Sequence, residues 1–507
     1  MRLIGLDVGT IGCKAAVFDE EGRVLGYGFR EYGFLAGEPA MAEQDAEEVW
    51  RLTCEALHEA LARSDSDRPG GEAVRALSLS VQGDAVILVD RSFRPVYHAV
   101  LGMDYRARPQ ASRSAELLGE RALFERTGMR PHPINSILKA LWLKEMRPQA
   151  WEKAWKITTY ADYILGRLGA EPVIDHTMAS RTMAFDLRSR AWSGEILDRL
   201  GIDAGLLSRP APSGVVAGAL SREAAEQTGL PEGLPLATGG HDQACAALGA
   251  GVTGEGRGVV STGTAEVLSA AFSRPLLNDT MFESYYPCYL YVREGRYFTF
   301  TLNHVGGLLL RWYRDTLAFP EVWEAGEKGE DPYEMILGRL PPGPSGLFVL
   351  PHFNGSGTPW CDLSSRGAIL GLTLSTTRHD IARAILESQS YELAINLLEL
   401  ERAGVRVEEL RAVGGGARSP LWLQIKADVL DRPITTLRVR EAACLGAAIL
   451  AGVAVGAYSS VEEGVERTVS VAGTYRPDPV RHRAYAGRLE LYREVYPALA
   501  RIHHRME

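Results

Sequence analysis

RLIGLDVGTIGCKAAVFDEEGRVLGYGF, residues 2–29, decides the fold. An apolar strand ends in Asp7 and a Gly9-Thr10 corner, and a second strand, CKAAVFD, leaves it. EEG at Glu20 to Gly22 then reverses the chain into a third strand, RVLGYGF. The pattern returns at Gly256 to Phe272, GRGVVSTGTAEVLSAAF, where a strand again runs into a Gly-Thr corner, Gly263-Thr264, and out into another strand. Two such openings in one chain indicate an internal duplication. At each corner, backbone N–H groups and a hydroxyl offer a surface suited to an anion.

Outward from the first hairpin, DAEEVWRLTCEALHEALAR after Gln44 sets Val49, Leu52, Leu57 and Leu61 at helical spacing, and a strand, AVRALSLSVQG, follows. Strands, then helix, then strand predict α/β layers. A second strand-helix unit, LRAVGGGARSPLWLQIKADVLDRPI, starts at Leu410, and the later half is expected to begin near residue 250, dividing the chain into 1–248 and 249–507. HRAYAGRLELYREVYPALARIHHR, near the C-terminus, carries Leu489, Tyr492 and Val495 at helical spacing and is expected to pack on its own domain.

Composition narrows the class. With 507 residues, 46% hydrophobic and 23% charged, the chain is globular and not disordered. Its 55 basic and 64 acidic residues give a net charge of -9 without a Lys/Arg block, which opposes a nucleic-acid groove. Six cysteines lack a CxxC pair, so a reducing, cytoplasmic setting is expected. The N-terminus reaches Asp7 before an apolar core of signal-peptide length can form, so export is not expected. The uncharged stretch from Ala442 to Ser460, rich in alanine and holding three glycines, predicts a closely packed internal helix and no membrane span.

Three places carry chemistry. Asp7, the Gly-Thr corner and Lys14 bring together an acid, an anion nest and a cation, a group that suits a magnesium-phosphate ligand; a turn-capping Asp beside a solvated Lys fits the same residues equally well. In GGHDQACAALGAG, Gly239 to Gly251, a strand and a sharp glycine turn precede His241-Asp242 at the start of a small-residue helix, as a general base for an alcohol requires. A plain N-cap would explain Asp242 but not the double glycine, and His241 reads as structural or substrate-orienting. GGGARSP, Gly414 to Pro420, joins a strand to a helix through three glycines, which lets a nucleotide's ribose, base or phosphate approach the backbone. Gly249-Ala-Gly251-Val-Thr-Gly254 also matches GxGxxG, but a helix precedes it and a strand follows, the reverse of a dinucleotide site.

DVGTIGCK, SILKALWL, GGHDQACAALGAG, STGT, GAILGLTLSTTRHDIARAILES and GGGARSPLWLQ together resemble, in order and spacing, the FGGY carbohydrate kinases, which include xylulose, glycerol, gluconate and fuculose kinases. The resemblance covers almost the whole chain. It implies an α/β protein of two actin-like, ribonuclease-H-like domains with the active site in the cleft between them, the first domain taking the sugar and the second the nucleotide. It also implies ATP and Mg²⁺ as cofactors and phosphorylation of a ketose or polyol, xylulose-like by preference. Carried across, Asp242 matches the catalytic base and, with Asp7, the acids near magnesium. Thr10, Lys14, Gly263 and Thr264 match phosphate-contacting positions, and Gly307, Gly415, Gly416 and Ser419 nucleotide-contacting ones, with Ser419 standing where asparagine is common. Ile11 and Gly12 depart from the hydroxyl residues frequent there.

On the sugar side Gln82, Asp84, Asp104, Arg106 and His241 match substrate positions. Asp84 resembles the acidic residue of glycerol kinases. Gly102 replaces the tryptophan of W-x-D-x-R, which opens the pocket. The resemblance further implies a small-molecule substrate, no nucleic-acid or membrane partner, and a homodimer. Two other readings compete: a non-catalytic sugar or nucleotide sensor, which would need no base, and a sugar-independent ATPase of the actin-like superfamily, which would need no sugar-side residues.

Overall fold

β1 (Arg2–Val8) is apolar on both faces, and Leu3, Ile4, Leu6 and Val8 are buried, as an interior strand of a mixed sheet requires. The computed structural model describes residues 1–38, 40–66 and 73–506. β2 (Gly12–Phe18) and β3 (Val24–Glu31) follow β1 as antiparallel hairpins. β4 (Val74–Val81) runs parallel to β1, and an edge strand β5 (Val216–Ala219) pairs antiparallel with β6 (Pro235–His241), which is parallel to β4. The first sheet has the order β5-β6-β4-β1-β2-β3.

The second sheet repeats this plan. β7 (Gly256–Thr262) and β8 (Glu266–Phe272) form its opening hairpin, and β9 (Tyr289–Leu290) and β10 (Tyr297–Phe300) extend that side. β11 (Val407–Val413) and β12 (Ile434–Leu437) run parallel to β7, and β13 (Val471–Tyr475) closes the other edge, giving the order β9-β10-β8-β7-β11-β12-β13. The cores β3-β2-β1-β4-β6 and β10-β8-β7-β11-β12 share both order and strand direction. The duplication expected from the two Gly-Thr corners is therefore present in the topology.

The helices that matter for the site are α1 (Ala46–Ser66), α2 (Ser136–Met146), α3 (His176–Arg181), α4 (Asp242–Gly249), α5 (Gly307–Leu317), α6 (Arg378–Arg402), α7 (Pro420–Leu430), α8 (Ala442–Ala454) and α9 (Pro479–Tyr492). α1 covers β2 and β3. α9 packs on α7, with Leu489, Tyr492 and Val495 buried and the Tyr492 hydroxyl donating to Glu392 Oε1 at 2.7 Å, so the C-terminal segment lies on its own domain.

α8 is the internal helix expected from its small residues. It crosses α4 at backbone contact: a Cβ on Gly249 would lie 1.9 Å from the Ala442 carbonyl oxygen, and one on Gly446 1.9 Å from that of Cys245. α8 also lies across β1 and β4, so a helix from the second half of the chain covers the first sheet. Among the described residues no helix is long and apolar enough to cross a membrane, and all six cysteines are free thiols.

Candidate active site

β1, β4 and β6 run parallel, and their carboxyl ends carry Asp7, then Gln82 to Asp84, then His241 and Asp242. Ligands of open α/β sheets bind outside such strand ends. Asp7 faces Ser80 across the ladder, and the Ser80 hydroxyl donates to Asp7 Oδ1 at 2.7 Å. Burial raises the Asp7 carboxyl above its usual range, while the Ser80 hydrogen bond and the Lys14 charge pull it down.

Asp242 opens α4. The Gln243 N–H donates to its Oδ1 at 2.6 Å, and His241 Nε2 lies 3.1 Å from the same oxygen, while the Tyr289 hydroxyl sits 3.0 Å from His241 Nδ1. Burial and the Arg181 charge hold the imidazole well below its ordinary range, so it is neutral. A neutral ring donating from Nε2 and accepting at Nδ1 satisfies both contacts. Burial, and then the neighbouring Asp7 charge, push the Asp242 carboxyl up to about 7, against the pull of the Gln243 N–H and of Arg181. Its side chain stays 31% exposed, so Oδ2, which takes neither bond, is open to a substrate. The two glycines before it do not form a turn, as the sequence suggested. β6 runs straight through them into His241, and a Cβ on Gly239 would sit 1.6 Å from the Leu79 carbonyl oxygen. Gly239 is there so that β6 can lie against β4, with a register shift between Ala237 and Gly240, while a Cβ on Gly240 would meet the Val292 side chain at 2.5 Å.

The first Gly-Thr corner joins β1 to β2. Its Gly9 N–H is spent on the Gly12 carbonyl at 3.0 Å, and the Thr10 hydroxyl donates to Gln82 Oε1 at 3.2 Å. Gln82, buried, donates in turn to Gly9 O and to Gln44 Oε1 at 3.1 and 3.3 Å, so its carboxamide braces the corner. Lys14 is paired with Glu441, just ahead of α8, at 2.8 Å.

Asp104 and Arg106, expected at the sugar, close on the protein itself. Asp104 accepts from the Ala42 N–H at 2.8 Å and from Arg106 Nε, Arg106 Nη2 pairs with Glu43 Oε1 at 2.6 Å, and the guanidinium lies 4.1 Å from the Trp142 ring centroid. Glu43, 63 residues from Arg106 in the chain, is the partner that local sequence could not supply. Asp84 is buried with φ 67° and pairs with Arg181 at the end of α3. Its carbonyl oxygen accepts from Lys139 Nζ at 3.1 Å and Ser136 Oγ at 3.2 Å, both on α2. Arg181 was not found by sequence reasoning: it is one arginine in HTMASRTMAF, with no motif to mark it.

In the second half, the ends of β7 and β11 bring Gly263-Thr264 beside Gly414 to Gly416. The Gly263 N–H bonds to Ala265 O at 3.0 Å, and Gly306 and Gly307 N–H at the start of α5 donate to Thr264 O and Gly263 O, both at 2.7 Å. Of the three glycines, Gly414, with φ 83°, and Gly416 pack on Thr262, where a Cβ would meet it at 2.7 and 2.6 Å. Gly415 is exposed, and a Cβ there would find nothing nearer than 3.9 Å. Packing thus explains two glycines, and Gly415 is the one left open to a ligand. Ser419 caps α7, its Oγ accepting from the Trp422 N–H at 3.2 Å.

Among the described residues, no group of three or more His, Cys, Asp or Glu is placed to cage a metal. The Asp7–Asp242 pair suits instead a hard cation that keeps waters and takes further ligands from phosphates.

Two curated relatives span nearly the full chain. An autoinducer-2 kinase of Enterobacter sp. (strain 638) is 30% identical over 97% of this chain and 94% of its own, and glycerol kinase 2 of Sulfolobus acidocaldarius is 30% identical over 97% of each. The crystal structure of a ligand-bound xylulose kinase from Lactobacillus acidophilus, 23% identical, superposes with a TM-score of 0.89 over 100% of both chains, which establishes the shared two-domain fold. Residues 2–249 match the N-terminal domain, and residues 258–455 the C-terminal domain, of one family, and on both matches the chain belongs to the FGGY family of carbohydrate kinases.

Proposed function

We propose that the protein transfers the γ-phosphoryl group of ATP to a hydroxyl of a neutral ketose or polyol, with Asp242 accepting the hydroxyl proton. The observation that carries this reading is the Asp242 carboxyl: it is anchored through Oδ1, open at Oδ2, and held near pH 7, where a general base works best. FGGY kinases use ATP with Mg²⁺. Asp7 and Asp242 fit that ion, since the charge of the first already raises the carboxyl of the second. When bound, Mg²⁺ supplies neutralisation of phosphate charge.

The remaining roles belong to the chain. Residues 1–248 would take the sugar and hold the base, and residues 249–507 the nucleotide. Thr10, Lys14 and Thr264 would face the transferring phosphate, Lys14 exchanging Glu441 for it. Gly263, Gly307, Gly415, Gly416 and Ser419 would form the nucleotide side. His241 would orient Asp242, while Gln82, Asp104 and Arg106, all bonded within the protein, would set the shape of the sugar pocket and leave Asp84 to touch the substrate. Because a loose phosphoryl-transfer transition state asks mainly for positioning and charge neutralisation, such a frame is sufficient.

The test is ATP turnover with and without a panel of ketoses and polyols, read out by the phosphorylated product, on the wild type and Asp242→Asn. The variant should bind nucleotide yet lose turnover by about a hundredfold or more. Near-normal phosphorylation by the variant would remove Asp242 from the base role, and sugar-independent hydrolysis by the wild type would favour an ATPase.

A further inference from the structure

We propose that Arg181, paired with Asp84, forms a subsite for a vicinal diol, and that this pair selects neutral polyhydroxylated acceptors over carboxylated ones. The proposal rests on the kinase reading for its place in the reaction, but its physical content is a binding preference.

Arg181 is 5% exposed and Asp84 2%. One guanidinium nitrogen, Nη2, donates to Asp84 Oδ2. Among the described residues, three polar atoms of the pair have no hydrogen-bond partner: Arg181 Nε, Arg181 Nη1 and Asp84 Oδ1. Buried polar groups are almost always paired, so three orphans in one ion pair mark a place completed by something outside the chain. The pair is held firmly for that purpose. Asp84 keeps a left-handed backbone, φ 67°, that its surroundings must enforce, and Lys139 and Ser136 grip its carbonyl. The rings of Tyr289 and Phe300, with centroids 5.3 and 5.1 Å from the Arg181 guanidinium carbon, pack against the guanidinium.

The pair also lies beside the base. A Cβ on Gly83 would stand 2.7 Å from His241 Nε2 and 3.1 Å from Arg181 Nε, so the orphaned donor and the imidazole that contacts Asp242 share one wall. Gly102, whose Cβ would lie 3.7 Å from the Asp84 Cβ, keeps a side chain off the pair.

One acceptor and two donors match two adjacent hydroxyls. The first donates to Asp84 Oδ1 and accepts from one Arg181 N–H, and the second accepts from the other. A carboxylate would take both donors but set its charge against Asp84 Oδ1, and a lone hydroxyl would leave at least one orphan. Sites built to hydrogen-bond a hydroxyl reject analogues that lack it.

The experiment is calorimetric titration of the full chain with MgADP present, using a set of C3 to C6 polyols and ketoses, their deoxy counterparts and the matching aldonates, on the wild type, Arg181→Met and Asp84→Asn/Arg181→Met. We expect the wild type to bind at least one vicinal polyol about tenfold or more tighter than its deoxy counterpart, and to bind aldonates more weakly still. Arg181→Met should lose about tenfold on the polyol and little on the deoxy compound, with MgADP affinity unchanged. If that variant fails to hold MgADP, the double variant, which leaves no charge unpaired, is read in its place. The proposal is overturned if the wild type binds no vicinal polyol, if deleting a hydroxyl costs it less than about threefold, if it prefers aldonates, or if Arg181→Met loses both partners equally. Polyol binding with this coupling but no phosphoryl transfer would overturn the kinase reading alone, and phosphorylation without the coupling would overturn the subsite alone.

Discussion

Replacing Lys139 with methionine tests the electrostatics beneath Asp84. Lys139 is fully buried on α2, and its ammonium group donates to two carbonyl oxygens, of Asp84 and Ile134, with no carboxylate among the described residues in hydrogen-bonding contact. Burial pulls its pKa down from 10.5 to about 8, partly offset by the Asp84 and Asp104 charges. That drop is worth about 3 kcal/mol of unfavourable charging in the folded state at neutral pH. The folded protein releases the proton near pH 8 while the unfolded chain keeps it to 10.5. Between those values the unfolded state binds more protons, so this contribution makes the native state more stable as pH rises. By pH 9.5 the relief reaches about 2 kcal/mol. Urea unfolding of wild type and Lys139→Met at pH 7 and pH 9.5 isolates the effect, because all other titrations cancel in the difference. The wild type should gain about 2 kcal/mol on the variant over that range. A difference that stays constant with pH would refute the buried, charge-penalised lysine.

Gly239→Ala should destabilise the protein by about 3 kcal/mol or more, because a Cβ 1.6 Å from the Leu79 carbonyl oxygen forces β6 off β4; a wild-type melting temperature would contradict the packing. Glu321 is buried between Arg378 and His379, each within 2.8 Å. Burial raises its carboxyl, but these partners outweigh burial and hold it at about 2 instead of 4.5. A depressed carboxyl contributes stability that is complete above 4.5 and lost as pH falls toward 2, so Glu321→Gln should be less stable than wild type at pH 6 by up to about 2 kcal/mol and converge with it near pH 2. Unfolding curves that run parallel from pH 6 to pH 3 would count against the ion-pair cluster.

Features written in contiguous sequence were legible. The two hairpins, Arg2–Phe18 and Gly256–Phe272, each hold their Gly-Thr corner within one short contiguous stretch, and the structure forms both as expected. Features that depend on a distant partner were not. Arg181 becomes meaningful only against Asp84, which is 97 residues away, and Arg106, which holds Asp104, closes on Glu43. The glycines before Asp242 read as a turn because paired glycines usually break a strand, whereas here Gly239 admits the backbone of the neighbouring strand at Leu79 and Gly240 admits the Val292 side chain. GGGARSP was legible as a place needing glycine, but only the position of Thr262 separates the two packing glycines from Gly415.

The position of α8 has a consequence for how the protein must be made. A helix encoded near the end of the chain roofs β1, its first strand, and Gly5 sits so close beneath it that a Cβ would meet the Cys444 carbonyl oxygen at 1.8 Å. The N-terminal half leaving the ribosome therefore lacks part of its own roof, and its first sheet keeps an apolar face bare until synthesis has passed residue 454. The packing of the first sheet is therefore finished only by a segment of the second half.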